Sequence, residues 1–187
     1  MTKDLIKYLI SYYQEFVSQI SFEKREYELE ANANYVFVGL RCAGKSYLMY
    51  QHIHHLMEQG HSIEEMLYFN FEDDRIDSIT ISDLDLIKTC YEEMYDHRPI
   101  FFLDEIQNIK GWEKFARRLA DTGYRVYITG SNAKMLSSEI ATTLGGRYLI
   151  KDIYPFSFSE YLLYKKIDLS DKNARFKFRT AITKEYE

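Results

Sequence analysis

Residues 35–50 read YVFVGLRCAGKSYLMY. Within them Gly39, Leu40, Arg41, Cys42, Ala43, Gly44, Lys45 and Ser46 satisfy the pattern G-x-x-x-x-G-K-[ST]. An apolar run precedes the pattern, and helix-forming residues follow it, beginning with Tyr47. Such a bend can hold a polyphosphate. The glycines at 39 and 44 are expected to adopt dihedrals that other residues avoid and to keep Cβ atoms out of the ligand's path. The helix that starts there aims its free N–H groups and the positive end of its dipole at the phosphates. Lys45 brings a point charge to the terminal phosphates. Ser46 offers a hydroxyl to Mg2+, an ion that keeps several waters and binds largely through phosphate oxygens. A chance match in a chain of this length has a probability of roughly 1% at ordinary glycine usage, so the stretch is read as a phosphate cradle. Arg41 and Cys42 lie inside it without being required by the pattern. Cys42 is read as loop filler, its place near a helix start and Lys45 leaving a reactive thiol as the other reading.

Holding a nucleotide and breaking it are different tasks, and the second needs an acid pair. IFFLDEIQNI, residues 100–109, sets Asp104 and Glu105 at the end of an apolar run. Ligands of open α/β sheets bind beyond the carboxyl ends of the strands. Asp104 is therefore expected to position Mg2+ through its water shell. Glu105 is expected to orient and deprotonate a water aimed at the γ-phosphate. A further run, YRVYITG, should lie between the cradle strand and the acid strand. Its end would bring Ser131 or Asn132, with Thr129 behind them, to a place where a polar side chain senses the γ-phosphate. The plainer reading of Ser131 and Asn132 is a turn that caps the next helix, and the two readings are compatible.

The elements that must position these residues are visible as alternating patterns. Strand-like runs cover 35–39, 67–71, 100–104, 124–130 and 147–153. Helical patterns cover 2–20, 44–59, 82–96, 111–122 and 132–140, with Leu5, Leu9, Tyr12, Phe16 and Ile20 marking the apolar face of the first. Strands alternating with helices predict an α/β, doubly wound parallel sheet. Trp112 and Phe115 are expected to pack their helix onto it. After Pro155, Ser157 and Glu160 form a capping box ahead of Tyr161, Leu162 and Leu163, and residues 170–187 read as another helix. The expected division is an N-terminal helix and connector (1–29), a core (30–155), and the start of a helical lid or second domain, cut short (156–187).

Bulk properties narrow the class. The 187 residues are 46% hydrophobic and 16% aromatic, which fits a folded domain. A net charge of −5 argues against whole-domain attraction to nucleic acid or anionic membrane. The tail residues Lys165, Lys166, Lys172, Arg175, Lys177 and Arg179 leave a nucleic-acid contact open beside a solvated helix face. Two cysteines are too few for a disulfide framework, so a reduced, cytoplasmic setting is expected. No apolar run reaches membrane-spanning length. His52 and His55 stand one turn apart, but nothing at suitable spacing completes a zinc set. Glu72, Asp73, Asp74 and Arg75 read as a solvated loop or, alternatively, as part of the site's outer shell.

GLRCAGKS, LYFNFEDDR, FFLDEIQNI, YITGSNA and LGGRYLIKDIYPFSFSEYL follow one another in this order. Over about residues 30–165 the chain resembles the AAA+-type P-loop ATPase domain of a large bacterial and archaeal family, usually followed by a C-terminal domain of poorly defined role. The resemblance implies a P-loop NTPase three-layer sandwich with a five-stranded parallel sheet, its Walker A strand near the centre and separated from the Walker B strand by another. It implies ATP rather than GTP, in keeping with the lack of an Asn-Lys-x-Asp stretch. It also gives Arg147 the role of an arginine finger acting on a neighbouring copy, which implies self-association; the other reading is a surface arginine after a Gly-Gly turn. The function expected is Mg2+-dependent ATP hydrolysis coupled to an unassigned client or attached domain. The alternative is a nucleotide-gated switch or scaffold with negligible turnover.

Overall fold

The computed structural model describes residues 1–76, 79–131, 139–166 and 183. The apolar runs become β1 (Tyr35–Val38), β2 (Met66–Asn70), β3 (Ile100–Asp104), β4 (Val126–Gly130) and β5 (Leu149–Asp152). They form one parallel sheet in the order β2-β3-β4-β1-β5. β4 thus lies between β1 and β3, as the sequence predicts. β1 to β4 are buried on both faces apart from Asn70 at the end of β2, which is why they read as unbroken apolar runs.

The helices between strands are α2 (Lys45–Glu58), α3 (Ile81–Met94), α4 (Trp112–Asp121) and α5 (Glu139–Thr143). Trp112 and Phe115 are buried, and Phe115 meets Phe101 of β3 edge to face. The 132–138 part of the helix expected at 132–140 lies outside the described residues, as does nearly all of the tail helix expected at 170–187. Glu160 and Ser157 do form the expected capping box at α6 (Phe158–Tyr164): Ser157 N–H donates to Glu160 Oε2 at 2.7 Å, and Glu160 N–H donates to Ser157 Oγ at 3.2 Å.

The first helix, α1 (Lys3–Gln19), corrects one expectation. Its buried face is Ile6, Leu9, Ile10, Tyr13 and Val17, while Tyr12 and Phe16 are exposed and stack with Tyr8 along the outside. Apolar residues surround much of this helix, so two stripes satisfy the same spacing. Packing on β2 and α3 selects the one rotated from Leu5–Tyr12–Phe16. The charge run after β2 fastens this helix in place. Tyr13 Oη donates to Asp73 at 2.5 Å, Arg75 pairs with Asp73, and the Arg75 guanidinium lies 4.2 Å from the Tyr12 ring centre.

β5 is the exception among the strands. It is largely exposed, with Leu149 and Ile150 open to solvent at the sheet edge. Two of its four residues, Lys151 and Asp152, are charged, and it pairs on one side with β1 at the end of the sheet order.

His52 is packed under β4, its ring 4.5 Å from that of Tyr127, with Nδ1 3.2 Å from Tyr27 Oη. Its Nε2 has no partner among the described residues. Burial, reinforced by His55 and Arg125, pushes its pKa down to about 4. The unfolded chain takes up a proton near pH 6.5 that the folded chain refuses. Stability should be full above that value and fall as pH drops from 6.5 towards 4, by at most about 3 kcal/mol. His52→Leu should flatten this part of a plot of urea midpoint against pH.

Candidate functional site

The parallel register brings the carboxyl ends of the strands to one edge: Val38 pairs with Gly130, Leu103 with Ile128, and Asn70 with Asp104. Gly39, Glu105 and Ser131 each leave a strand at this edge.

The loop from Gly39 to Gly44 turns tightly, with Ala43 N–H donating to Leu40 O at 3.2 Å. Gly44, at the N-cap of α2, has φ 89, a left-handed conformation that suits a residue without Cβ. Gly39 differs from expectation. Its φ is not in the left-handed region. A Cβ there would overlap the carbonyl oxygen of Ile153, just past β5, so glycine is needed for a close backbone approach instead. The second left-handed residue of the loop is Cys42, with φ 62 and an exposed thiol. Leu40 and Arg41 are exposed, and Arg41 reaches Glu72 at 3.7 Å. Tyr47 is exposed one turn into the helix.

Lys45 is buried, 3% exposed, and folds back over the loop. Its Nζ donates to Leu40 O at 2.9 Å and Gly39 O at 3.3 Å and stands 3.6 Å from Glu105 Oε1. The other Glu105 oxygen, Oε2, accepts from Ser131 Oγ at 2.8 Å and from Gln107 Nε2 at 2.5 Å. Glu105 has φ 54, a sparsely populated conformation for a residue with a side chain. That backbone twist turns Glu105 off the strand line of β3, and its carboxylate meets Lys45.

Asp104 is fully enclosed. Tyr68 Oη donates to its Oδ2 at 2.6 Å, and Thr129 Oγ1 donates to its Oδ1. Burial raises its pKa, while the hydroxyls of Thr129, Tyr68 and Ser46 oppose that shift by favouring the anion. Thr129 also accepts from the backbone N–H of Glu105 at 2.8 Å, so one hydroxyl ties both acids to β4. Tyr50 Oη, on α2, lies 3.1 Å from Tyr68 Oη and extends the chain of hydroxyls.

The structure therefore brings together Lys45, Ser46, Asp104, Glu105, Thr129 and Ser131. Asn132 lies outside the described residues. Arg147 does not join the group. It precedes β5, at the opposite edge of the sheet, where it pairs with Asp121. Sequence reasoning missed Tyr68, Tyr50 and Gln107. The first two are ordinary core aromatics by pattern; Gln107, two residues past Glu105, was visible but carried no distinguishing signal. His52 and His55 stand with ring centres 6.2 Å apart, and no group of three or more His, Cys, Asp or Glu among the described residues could hold a metal. Among those residues, no helix is long and apolar enough to cross a membrane.

A parallel sheet with order 2-3-4-1-5, a glycine loop feeding a helix, and an acid pair two strands away define a P-loop nucleotide-binding domain. The chain belongs to the AAA domain family, whose model matches residues 31–162. Membership makes it a nucleotide-binding domain of ATPase type. The chain is 37% identical over 147 residues to an uncharacterized protein of Methanocaldococcus jannaschii, a match covering 79% of this chain and 32% of that protein. An uncharacterized protein of Haemophilus influenzae is 39% identical over 136 residues, covering 71% and 34%. A second M. jannaschii protein, also uncharacterized, is 31% identical over 132 residues, covering 68% and 27%. The chain thus spans about a third of the length of these curated relatives.

Proposed function

We propose that this domain binds ATP with Mg2+ and hydrolyses it slowly, passing its nucleotide state to an attached domain or client. The observation that carries this reading is the 3.6 Å approach of Lys45 Nζ to Glu105 at the mouth of the loop. A cation that grips terminal phosphates then stands beside a carboxylate able to take a proton from water. Lys45 donates to two loop carbonyls, and the same ammonium N–H groups are suited to phosphate oxygens.

The donor chemistry fits Mg2+. Ser46 and Asp104 offer hard oxygens that would hold the ion, Asp104 through the ion's water shell. Bound there, Mg2+ would supply charge neutralisation between phosphate oxygens. The hydroxyls of Thr129, Tyr68 and Ser46 favour the anion of Asp104 against the burial that raises its pKa, and Ser131 holds Glu105 in place. The adenine ring has a seat beside Gly44. A cavity of about 370 Å³ is lined there by Arg25, Cys42, Tyr47, Pro155 and Phe156, mostly with apolar surface. A larger cavity of about 840 Å³ lies under the connector near His55 and Arg125, at the far end of α2. Its lining mixes both charges and lacks backbone donors from the loop.

The decisive experiment pairs titration of a fluorescent ATP analogue with phosphate release, with and without Mg2+. Binding with Mg2+-dependent release supports the proposal. Binding with no release from this chain would favour a nucleotide-gated switch instead.

Arg147 belongs to the proposal only as a finger in trans. Its place at the opposite sheet edge keeps it from the phosphates of its own chain, and its half-exposed side chain is accessible to a neighbour. Turnover per chain should then rise with protein concentration. A specific activity constant across a wide dilution range would remove Arg147 from the mechanism.

A further inference from the structure

Arg25, in the connector between α1 and β1, touches three separate parts of the molecule. Its backbone is held by α2: Arg25 N–H donates to Gln51 Oε1 at 2.9 Å, and Gln51 Nε2 donates to Arg25 O at 2.7 Å. Its Nη1 donates to Ala43 O, inside the phosphate loop, at 3.1 Å. Its Nε and Nη2 donate to Glu160 Oε1 and Oε2 of α6 at 3.0 and 3.4 Å. The guanidinium also lies 5.2 Å from the centre of the Phe156 ring. The two charged side chains keep only 15% and 22% of their exposure, so solvent screens the pair weakly.

The contact with Ala43 has a consequence for the loop. A trans peptide sets its C=O and N–H on opposite sides. Holding Ala43 O against Arg25 therefore aims the N–H of Gly44 to the opposite side of that peptide, away from the guanidinium. The same guanidinium grips Glu160, which closes the capping box of α6. One rigid fork thus spans a loop peptide and the first helix beyond the sheet.

We propose that Arg25 is a positioning residue that couples occupancy of the phosphate loop to helix α6. It rests on the nucleotide-binding reading above. An anion accepted by Gly44 N–H polarises the 43–44 peptide and strengthens the hydrogen bond that Ala43 O accepts from Arg25. The guanidinium is then fixed more firmly, and Glu160 and α6 with it. Nucleotide binding is read out as ordering of the segment through which the chain continues.

The test uses the full 187-residue chain with ADP, which separates binding from turnover. Affinity is measured with a fluorescent ADP analogue, and amide hydrogen exchange is followed over residues 158–164 with and without saturating ADP. In the wild type, ADP should slow exchange there severalfold. Arg25→Ala should bind ADP on the order of tenfold more weakly and, at saturation, show no slowing. Glu160→Gln can still fill the capping box; it should bind ADP within about threefold of wild type yet lose the slowing. A merely structural role would not remove the ADP response from Glu160→Gln, and that variant alone decides the matter if Arg25→Ala fails to fold. A wild-type response retained in Glu160→Gln overturns the coupling, as does wild-type chain that binds ADP with no change in 158–164. Wild-type chain that binds no nucleotide overturns the nucleotide reading and the coupling together.

Discussion

Replacing Lys45 with alanine is expected to weaken ATP binding on the order of 100-fold, since a charge-assisted contact and its hydrogen bonds to phosphate vanish together. The side chain is almost wholly enclosed, and its ammonium is aimed by Gly39 O and Leu40 O towards Glu105. A phosphate entering the loop meets that ammonium without reorganising the backbone. The variant should remain folded. Glu105 keeps its bonds from Ser131 and Gln107, and of the two freed carbonyls that of Leu40 belongs to an exposed residue while that of Gly39 is buried and loses its partner. A loss of about 1–3 kcal/mol in denaturant stability is the most that the removed bonds imply. Titration with a fluorescent ATP analogue, alongside a thermal melt, checks both parts. A dissociation constant within threefold of wild type would mean that the loop does not hold the terminal phosphates.

The site was legible in the sequence to different depths for physical reasons. Gly39–Ser46 and Asp104–Glu105 are local: each is a few residues whose types announce their chemistry, and unbroken apolar strands deliver both to the same sheet edge. The position of β4 between them also followed, because a separate run had to occupy the gap. Distance in the chain hid the rest. Tyr68 meets Asp104 across 36 residues, and Arg25 meets Glu160 across 135. No short window contains either pair. The requirement for glycine at 39 has a cause that its own loop does not reveal, since its crowding comes from Ile153. α1 shows a further limit: where a helix is apolar on most sides, periodicity specifies a helix without specifying which stripe is buried.

Glu105→Gln should separate binding from chemistry. Glutamine has the same shape and must adopt the same left-handed backbone as the residue it replaces, so the fold bears no new strain. Its amide oxygen can still accept from Ser131, and its loss of charge removes the pairing with Lys45. That pairing competes with phosphate for the ammonium, so ATP affinity should stay within a few-fold of wild type or rise. A carboxamide cannot take a proton from water, however, and loss of a positioned general base lowers the rate by about 10²–10⁴. Phosphate release should therefore nearly vanish while ATP accumulates on the protein. Thr129 sharpens the comparison because it anchors the backbone N–H of residue 105 regardless of the side chain there. A fall in rate would then report the missing charge, not a displaced loop. Unchanged release from Glu105→Gln would take the proton from Glu105 and leave the acid pair with a purely electrostatic part in the reaction.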